Sequence, residues 1–262
     1  MNNLALFELR KKESVPISMV TCYDAWSAKI LDQTNVDCLL VGDSLAEIVY
    51  GFDSTIHATD EMMALHTAAV ARSAKTKFIV ADMPFLSCSR GIIHAMKTVD
   101  KLMRAGANAL KIEGASHQLE IIEHIVTSGI PVMGHLGLQP QAIHNLGGNK
   151  VQGKEKAGAD QILAEAKELE RVGCFSIVLE CVPKELGECV TKNLKIPTIG
   201  IGAGPKTDGQ VLVLHDLLGL DENFSPKFLR KYAHLHKTVS SAVDKYHADV
   251  RSCEFPSVSE CY

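Results

Sequence analysis

The sequence predicts an α/β chain closed as a (β/α)8 barrel of the TIM type, with an N-terminal helix and a C-terminal helical tail. Three observations lead there. Eight short apolar runs alternate with helical stretches, several of those stretches stop at a glycine shortly before the next run, and most runs end on a carboxylate, a histidine or a glycine.

Leu4 to Lys12 reads as a helix ahead of the first strand. Strands are expected at Ser18 to Asp24, Cys38 to Ser44, Lys77 to Pro84, Ala109 to Gly114, Pro131 to Gly137, Ser176 to Val182, Pro197 to Ala203 and Gln210 to Leu214. Several are apolar without alternation, as parallel strands covered on both faces are. Arg104-Ala105-Gly106, Thr127-Ser128-Gly129 and Arg171-Val172-Gly173 each put glycine at a helix end just before a strand, the chemistry of an αβ turn. Ser225-Pro226 opens a helical tail, with serine as cap and proline in the first turn. Nothing marks a second domain, so residues 1–262 read as one catalytic domain. A doubly wound open sheet is the competing arrangement, because strand periodicity does not distinguish a closed sheet from an open one.

The 262 residues are 46% hydrophobic and 22% charged, with a formal net charge of −4, enough apolar material for one large core. A pI near 6.3 and scattered basic residues argue against a nucleic-acid or anionic membrane surface and in favour of a small-molecule substrate. No apolar run approaches the ~20 residues that span a bilayer. Met1-Asn2-Asn3-Leu4 lacks the layout of a secretory signal, so a cytoplasmic address is expected. The eight cysteines include no Cys-x-x-Cys pair and read as reduced thiols, mostly in the core.

Polar residues fall at the ends of the strands: Asp24, Asp43, Asp82, Glu113, His135, Glu180 and Gly202. In a parallel barrel these ends converge at one mouth, where barrel enzymes place their chemistry. Each acid alone also has a plainer reading as the cap of the next helix. Asp43, Asp82 and Glu113 form an oxygen-only set that suits Mg²⁺ better than Zn²⁺, and such an ion would act as a Lewis acid on the keto and carboxylate oxygens of a 2-oxo acid. Lys111, two positions before Glu113, shares its side of the strand and is placed to meet a substrate carboxylate; neighbouring acids work against a Schiff-base role. Glu180, inside Ile177-Val178-Leu179-Glu180-Cys181-Val182, is the expected general base, desolvated toward the neutral acid. His135 is open to two readings, a donor to substrate oxygen or a structural hydrogen-bonder.

Two glycine-rich stretches stand apart. Gly147 to Lys154 is read as a mobile lid after strand five or as an irregular surface loop. Gly200-x-Gly202-x-Gly204 lacks the dinucleotide spacing and the P-loop ending, so close approach of backbone to a ligand is the expectation.

Val41-Gly42-Asp43-Ser44, Gly51-Phe52-Asp53-Ser54-Thr55, Ala81-Asp82-Met83-Pro84-Phe85, Lys111-Ile112-Glu113-Gly114, Gly134-His135-Leu136-Gly137-Leu138, Leu179-Glu180-Cys181-Val182-Pro183, Gly200-Ile201-Gly202-Ala203-Gly204 and Thr207-Asp208-Gly209-Gln210 occur in that order. This series resembles the ketopantoate hydroxymethyltransferase family from about Val20 to Asp216. The resemblance implies transfer of a one-carbon unit from 5,10-methylenetetrahydrofolate to 3-methyl-2-oxobutanoate, giving 2-dehydropantoate on the route to pantothenate and coenzyme A. It further implies Mg²⁺ at Asp43, Asp82 and Glu113, oxo-acid contacts at Asp43, Ser44, Asp82 and Lys111, Glu180 as proton acceptor, and a homo-oligomer, commonly a homodecamer. Two other readings are carried. A carbon–carbon lyase or phosphomutase related to isocitrate lyase would show a Lys-Lys-Cys-Gly-His-like loop, which is absent; a non-catalytic oxo-acid-binding barrel would not need both a metal set and a base.

Overall fold

The computed structural model describes residues 4–142, 148 and 150–262. The chain divides into two compact units, Met1–Leu212 and Val213–Tyr262.

In the first unit, β1 (Ile17–Thr21), β2 (Cys38–Val41), β3 (Phe78–Asp82), β4 (Ala109–Glu113), β5 (Val132–Gly137), β6 (Ser176–Glu180), β7 (Thr198–Ile201) and β8 (Gly209–Leu212) pair in sequence order into a closed parallel barrel. Closure runs through β1 and β8, with Ile17 opposite Gly209 and Val20 opposite Leu212. The eight strands expected from sequence are present, and the open-sheet alternative is excluded. Most are shorter than expected because each apolar run continues past the last ladder bond into the turn that carries the site. Helices α1 (Ala5–Glu13), α2 (Ala25–Asp32), α3 (Leu45–Ile48), α4 (Asp60–Ser73), α5 (Ile92–Ala105), α6 (Leu119–Thr127), α7 (Lys156–Arg171) and α8 (Lys184–Asn193) connect or precede the strands.

Side-chain alternation explains the mouth. Ile17 and Met19, Cys38 and Leu40, Phe78 and Val80, Ala109, Met133, Val178, Ile199 and Val211 form one buried cluster, so the inward-facing set is known strand by strand. Carrying the period of two forward from that set reaches Asp82, Lys111 with Glu113, His135 and Glu180. The residues that fill the barrel and those that line its mouth therefore lie on the same faces of the same strands. At the opposite end α1 closes the interior with Phe7, whose ring meets Phe175 at 5.0 Å and Phe78 at 5.5 Å, both edge-on. Fully burying such a side chain stabilises by about 1.5–3 kcal/mol.

Local signals explain the connections. Gly106, Gly129 and Gly173 all have positive φ where they end helices, as the αβ-turn reading requires. Asp24 caps α2, its carboxylate accepting from the Ser27 backbone N–H at 2.8 Å; for this acid the plainer capping reading is the right one. Two glycines of Gly200-x-Gly202-x-Gly204 are needed for packing: a Cβ at Gly200 would lie 2.7 Å from Thr207 Oγ1, and one at Gly204 2.5 Å from Lys184 Cβ. Of the stretch 147–154, Gly147 and Asn149 lie outside the described residues; at its far end the Gln152 N–H donates to the Cys181 carbonyl at 2.8 Å. All eight cysteines are free thiols, with Cys22, Cys38, Cys88 and Cys174 buried.

The second unit holds α9 (Leu214–Leu217) and α10 (Leu235–Arg251). The helical tail exists, but it begins at Leu235 and not at Ser225-Pro226, where the chain makes only a turn from Pro226 O to Leu229 N. Proline can start a helix but does not oblige one, and Phe228, Leu229 and Tyr232 fall at helical spacing without forming one.

Candidate active site

Each element delivers its polar residue by a simple rule. Strand pleating aims Asp82, Lys111, His135 and Glu180 inward, and the turn after β2 brings Asp43 and Ser44 over the same opening. The Asp43 backbone N–H donates to Asp82 Oδ2 at 3.0 Å, fastening the end of β2 to that of β3. Ser44 Oγ lies 2.8 Å from Tyr23 Oη at the end of β1.

Lys111 is the electrostatic centre. Its Nζ is 3.1 Å from Asp82 Oδ1 and 3.8 Å from Glu113 Oε1, all three side chains being nearly fully buried. Burial opposes its charge, yet Asp82, Glu113 and Asp43 together hold the ammonium above its ordinary pKa. A lysine kept protonated in this way is an anchor for a carboxylate and not an amine nucleophile.

His135 joins the two halves of the mouth. Its Nδ1 is 3.2 Å from Lys111 Nζ and 3.3 Å from Glu113 Oε1, and its Nε2 is 3.2 Å from Glu180 Oε2. One nitrogen cannot accept from lysine and donate to glutamate at once, so two proton arrangements compete. Burial and then Lys111 favour the neutral ring, but Glu113 and Glu180 outweigh them and push the imidazole up to about 9. Lys111 is placed to donate to Nδ1 of the neutral ring, whereas Glu113 and Glu180 face the ring as ion-pair partners that favour the imidazolium.

The carboxylates divide. Burial first, then Asp82 and Glu113, drive the Asp43 carboxyl well above the usual range. Asp82 is also raised by burial, which Lys111 only partly opposes. Glu113 feels the same burial, but His135 and Lys111 hold it below its ordinary value. Glu180 keeps 20% side-chain exposure, so it is less enclosed than its apolar sequence context suggests. Asp43, Ser44, Asp82, Lys111, Glu113, His135 and Glu180 are thus brought to one mouth.

Sequence reasoning missed Gln141. It sits in the 3-10 turn Pro140–Ala142 just after β5. Its side-chain amide donates to Asp43 Oδ2 at 2.7 Å and to the Met83 carbonyl at 3.0 Å, and its backbone N–H donates to Glu113 Oε2 at 3.1 Å. The only available signal was its place one turn beyond His135.

Among the described residues, no three His, Cys, Asp or Glu side chains converge on a common metal position. The Lys111 ammonium stands beside Asp82, and Glu113 is turned toward His135 and Gln141. The donor chemistry still suits a hard cation: Asp82 Oδ1 and Glu113 Oε1 are buried without an aligned hydrogen bond, and the raised Asp43 and Asp82 carboxyls mark negative charge that burial leaves under-compensated.

A closed parallel barrel whose mouth gathers carboxylates, an ammonium and an imidazole around a small opening belongs, as a class, with the (β/α)8-barrel enzymes. Within that class, the family model of ketopantoate hydroxymethyltransferase matches residues 2–258, and the chain belongs to that family. A Coxiella burnetii (strain RSA 493 / Nine Mile phase I) relative named 3-methyl-2-oxobutanoate hydroxymethyltransferase is 53% identical over 98% of this chain and 97% of its own. A Bdellovibrio bacteriovorus protein of the same name is 47% identical over the full length of both. Among solved structures, a phosphonopyruvate hydrolase complex with oxalate and Mg²⁺ superposes with a TM-score of 0.65 at 13% identity, covering 99% of this chain and 93% of that one. A 2,3-dimethylmalate lyase of the PEP mutase/isocitrate lyase superfamily superposes with a TM-score of 0.63 at 15% identity, covering 96% and 88%. At such identities these two share the fold alone. No helix among the described residues is long and apolar enough to cross a membrane.

Proposed function

We propose that the chain is a 3-methyl-2-oxobutanoate hydroxymethyltransferase, moving a one-carbon unit from 5,10-methylenetetrahydrofolate to 3-methyl-2-oxobutanoate to give 2-dehydropantoate for pantothenate and coenzyme A. The observation that carries this is the joining of Lys111, His135 and Glu180 in one inward-facing line beside Asp43 and Asp82, in a chain whose full-length relatives bear that enzyme's name. Phosphomutase or lyase chemistry draws only on the shared barrel.

Mg²⁺ is the proposed metal, held by Asp43, Asp82 and Glu113, and when bound it supplies Lewis acidity to the oxo acid. The Lys111 ammonium pairs with the substrate carboxylate, fixing which end of the oxo acid faces Glu180. Ser44, held by Tyr23, donates or accepts at a substrate oxygen. The Glu180 carboxylate then takes the C3 proton; water takes the one-carbon unit off the donor at the level of formaldehyde, breaking both C–N bonds of the methylene bridge, and the electron pair left on C3 bonds to that carbon while the oxygen that came from water takes up a proton as the new hydroxyl. His135 keeps Glu180 in register with the anchored substrate. Overall one water is consumed and tetrahydrofolate leaves. The proposed setting is the cytoplasm, with the chain assembled with copies of itself.

The direct test incubates the protein with Mg²⁺, 3-methyl-2-oxobutanoate and 5,10-methylenetetrahydrofolate and follows 2-dehydropantoate. Product that needs both organic substrates supports the reading; binding of the oxo acid without turnover would make this a non-catalytic barrel.

A further inference from the structure

We infer that Gln141 is a positioning residue that sets the Asp43 carboxylate for the cation and the oxo acid, an inference that rests on the proposed use of Asp43 and Asp82. Both hydrogens of its side-chain amide are committed, one to Asp43 Oδ2 at 2.7 Å and the other to the Met83 carbonyl at 3.0 Å. The Met83 carbonyl can only accept, so the amide nitrogen, not its oxygen, must face it. The amide plane is thereby fixed, and the Asp43 carboxylate is fixed with it.

Three features set this contact apart from an ordinary loop hydrogen bond. First, Asp43 is buried, and the Gln141 amide reaches its side chain at 2.7 Å from a residue 98 positions away. Second, the same residue reaches a second acid of the set, its backbone N–H donating to Glu113 Oε2 at 3.1 Å. With the Asp43 N–H donating to Asp82 Oδ2, the three carboxylates share one hydrogen-bonded frame that passes through Gln141 and Asp43. Third, the frame is braced from outside: the turn Thr55–His57, from the connection after β2, packs against the turn that carries Gln141. One side of the Asp43 carboxyl, Oδ2, is therefore occupied by a fixed donor. Outer partners of this kind orient an acid without touching the reaction, and their loss typically costs roughly 10–100-fold in metal affinity or activity.

The test is Gln141→Met, which keeps length and volume and deletes both donors. Mg²⁺ binding is measured by titration calorimetry without organic substrate, alongside KM and kcat for the oxo acid and the melting temperature. The expected result is Mg²⁺ affinity weakened roughly 10-fold or more and KM raised by a similar factor, with kcat changed less and melting unchanged within about 2 °C. A lowered melting temperature would shift the same comparison to Gln141→Asn, which keeps the amide on a shorter arm that no longer reaches Asp43. Wild-type-like Mg²⁺ affinity and KM in a well-folded variant would overturn the inference while leaving the metal reading intact. Wild-type protein that binds no Mg²⁺ would instead overturn that reading, and the inference with it.

Discussion

His135 Nε2 lies 3.2 Å from Glu180 Oε2, while the other nitrogen of the same ring lies 3.3 Å from Glu113 Oε1. One buried imidazole ring thus spans the acid assigned to the metal set and the acid assigned to proton transfer. His135→Gln removes that span without adding a charge. The expected outcome is kcat lowered roughly 10–100-fold with KM for the oxo acid little changed, because Lys111, the proposed anchor of the substrate, is left in place. Steady-state kinetics check this; a raised KM with normal kcat would place His135 on the substrate instead.

Asp82 is tied to both the proposed cation and the anchor, lying 3.1 Å from Lys111 Nζ. Asp82→Asn should weaken Mg²⁺ and oxo-acid binding together, each by about 10-fold or more, since one carboxylate serves both. Chelation should abolish turnover and Mg²⁺ restore it. Calorimetry with each ligand alone would count against this role if either affinity were unchanged.

Much of this was legible from runs of residues and the barrel's own rules. Asp82, Lys111, Glu113, His135 and Glu180 end apolar runs, and a period of two carries the inward face onto them. Asp24 ends a similar run but turns back to Ser27, because a strand-end acid beside a helix start has a local partner one turn away. Gln141 escaped notice because its role depends on two partners distant in sequence, Asp43 and Met83, and amides in turns carry no signal of their own. The tail start at Ser225-Pro226 misled because cap chemistry marks where a helix is permitted and not that one forms there; the helix that does form, Leu235–Arg251, buries no residue.

Gly137 offers a stability test close to the site. It has φ of +91°, and a Cβ there would fall 2.2 Å from the Glu180 carbonyl oxygen. Gly137→Ala must shift backbone at the end of β6, at a cost of about 2–4 kcal/mol, and should misplace Glu180 as well. Urea unfolding and kcat should fall together; a variant of wild-type stability would mean that β5 and β6 separate easily.

In the second unit, burial and then Asp221 push the Asp216 carboxyl up to about 6 from 3.8. The folded state therefore holds this proton more tightly than the unfolded state does. Between those two values the unfolded chain has released it and the native chain has not, so the contribution to stability falls as pH rises through the window and stays lower above it. Asp216→Asn should remove that slope and stabilise the protein above pH 6 by on the order of 1 kcal/mol, allowing for partial solvent screening. Urea unfolding at about pH 4 and about pH 7.5 checks it; an equal wild-type–variant difference at both would contradict it.

The central claim is that Glu180 takes the C3 proton of the oxo acid, and solvent exchange tests it without the one-carbon donor. With Mg²⁺ and 3-methyl-2-oxobutanoate in deuterium oxide, proton NMR should show wild-type protein washing out the C3 hydrogen. Glu180→Gln should slow that loss by on the order of 10²–10⁴-fold while still binding Mg²⁺. Near-normal exchange in the variant would contradict the account, and lost Mg²⁺ binding would mean that Glu180 serves the metal and not the proton.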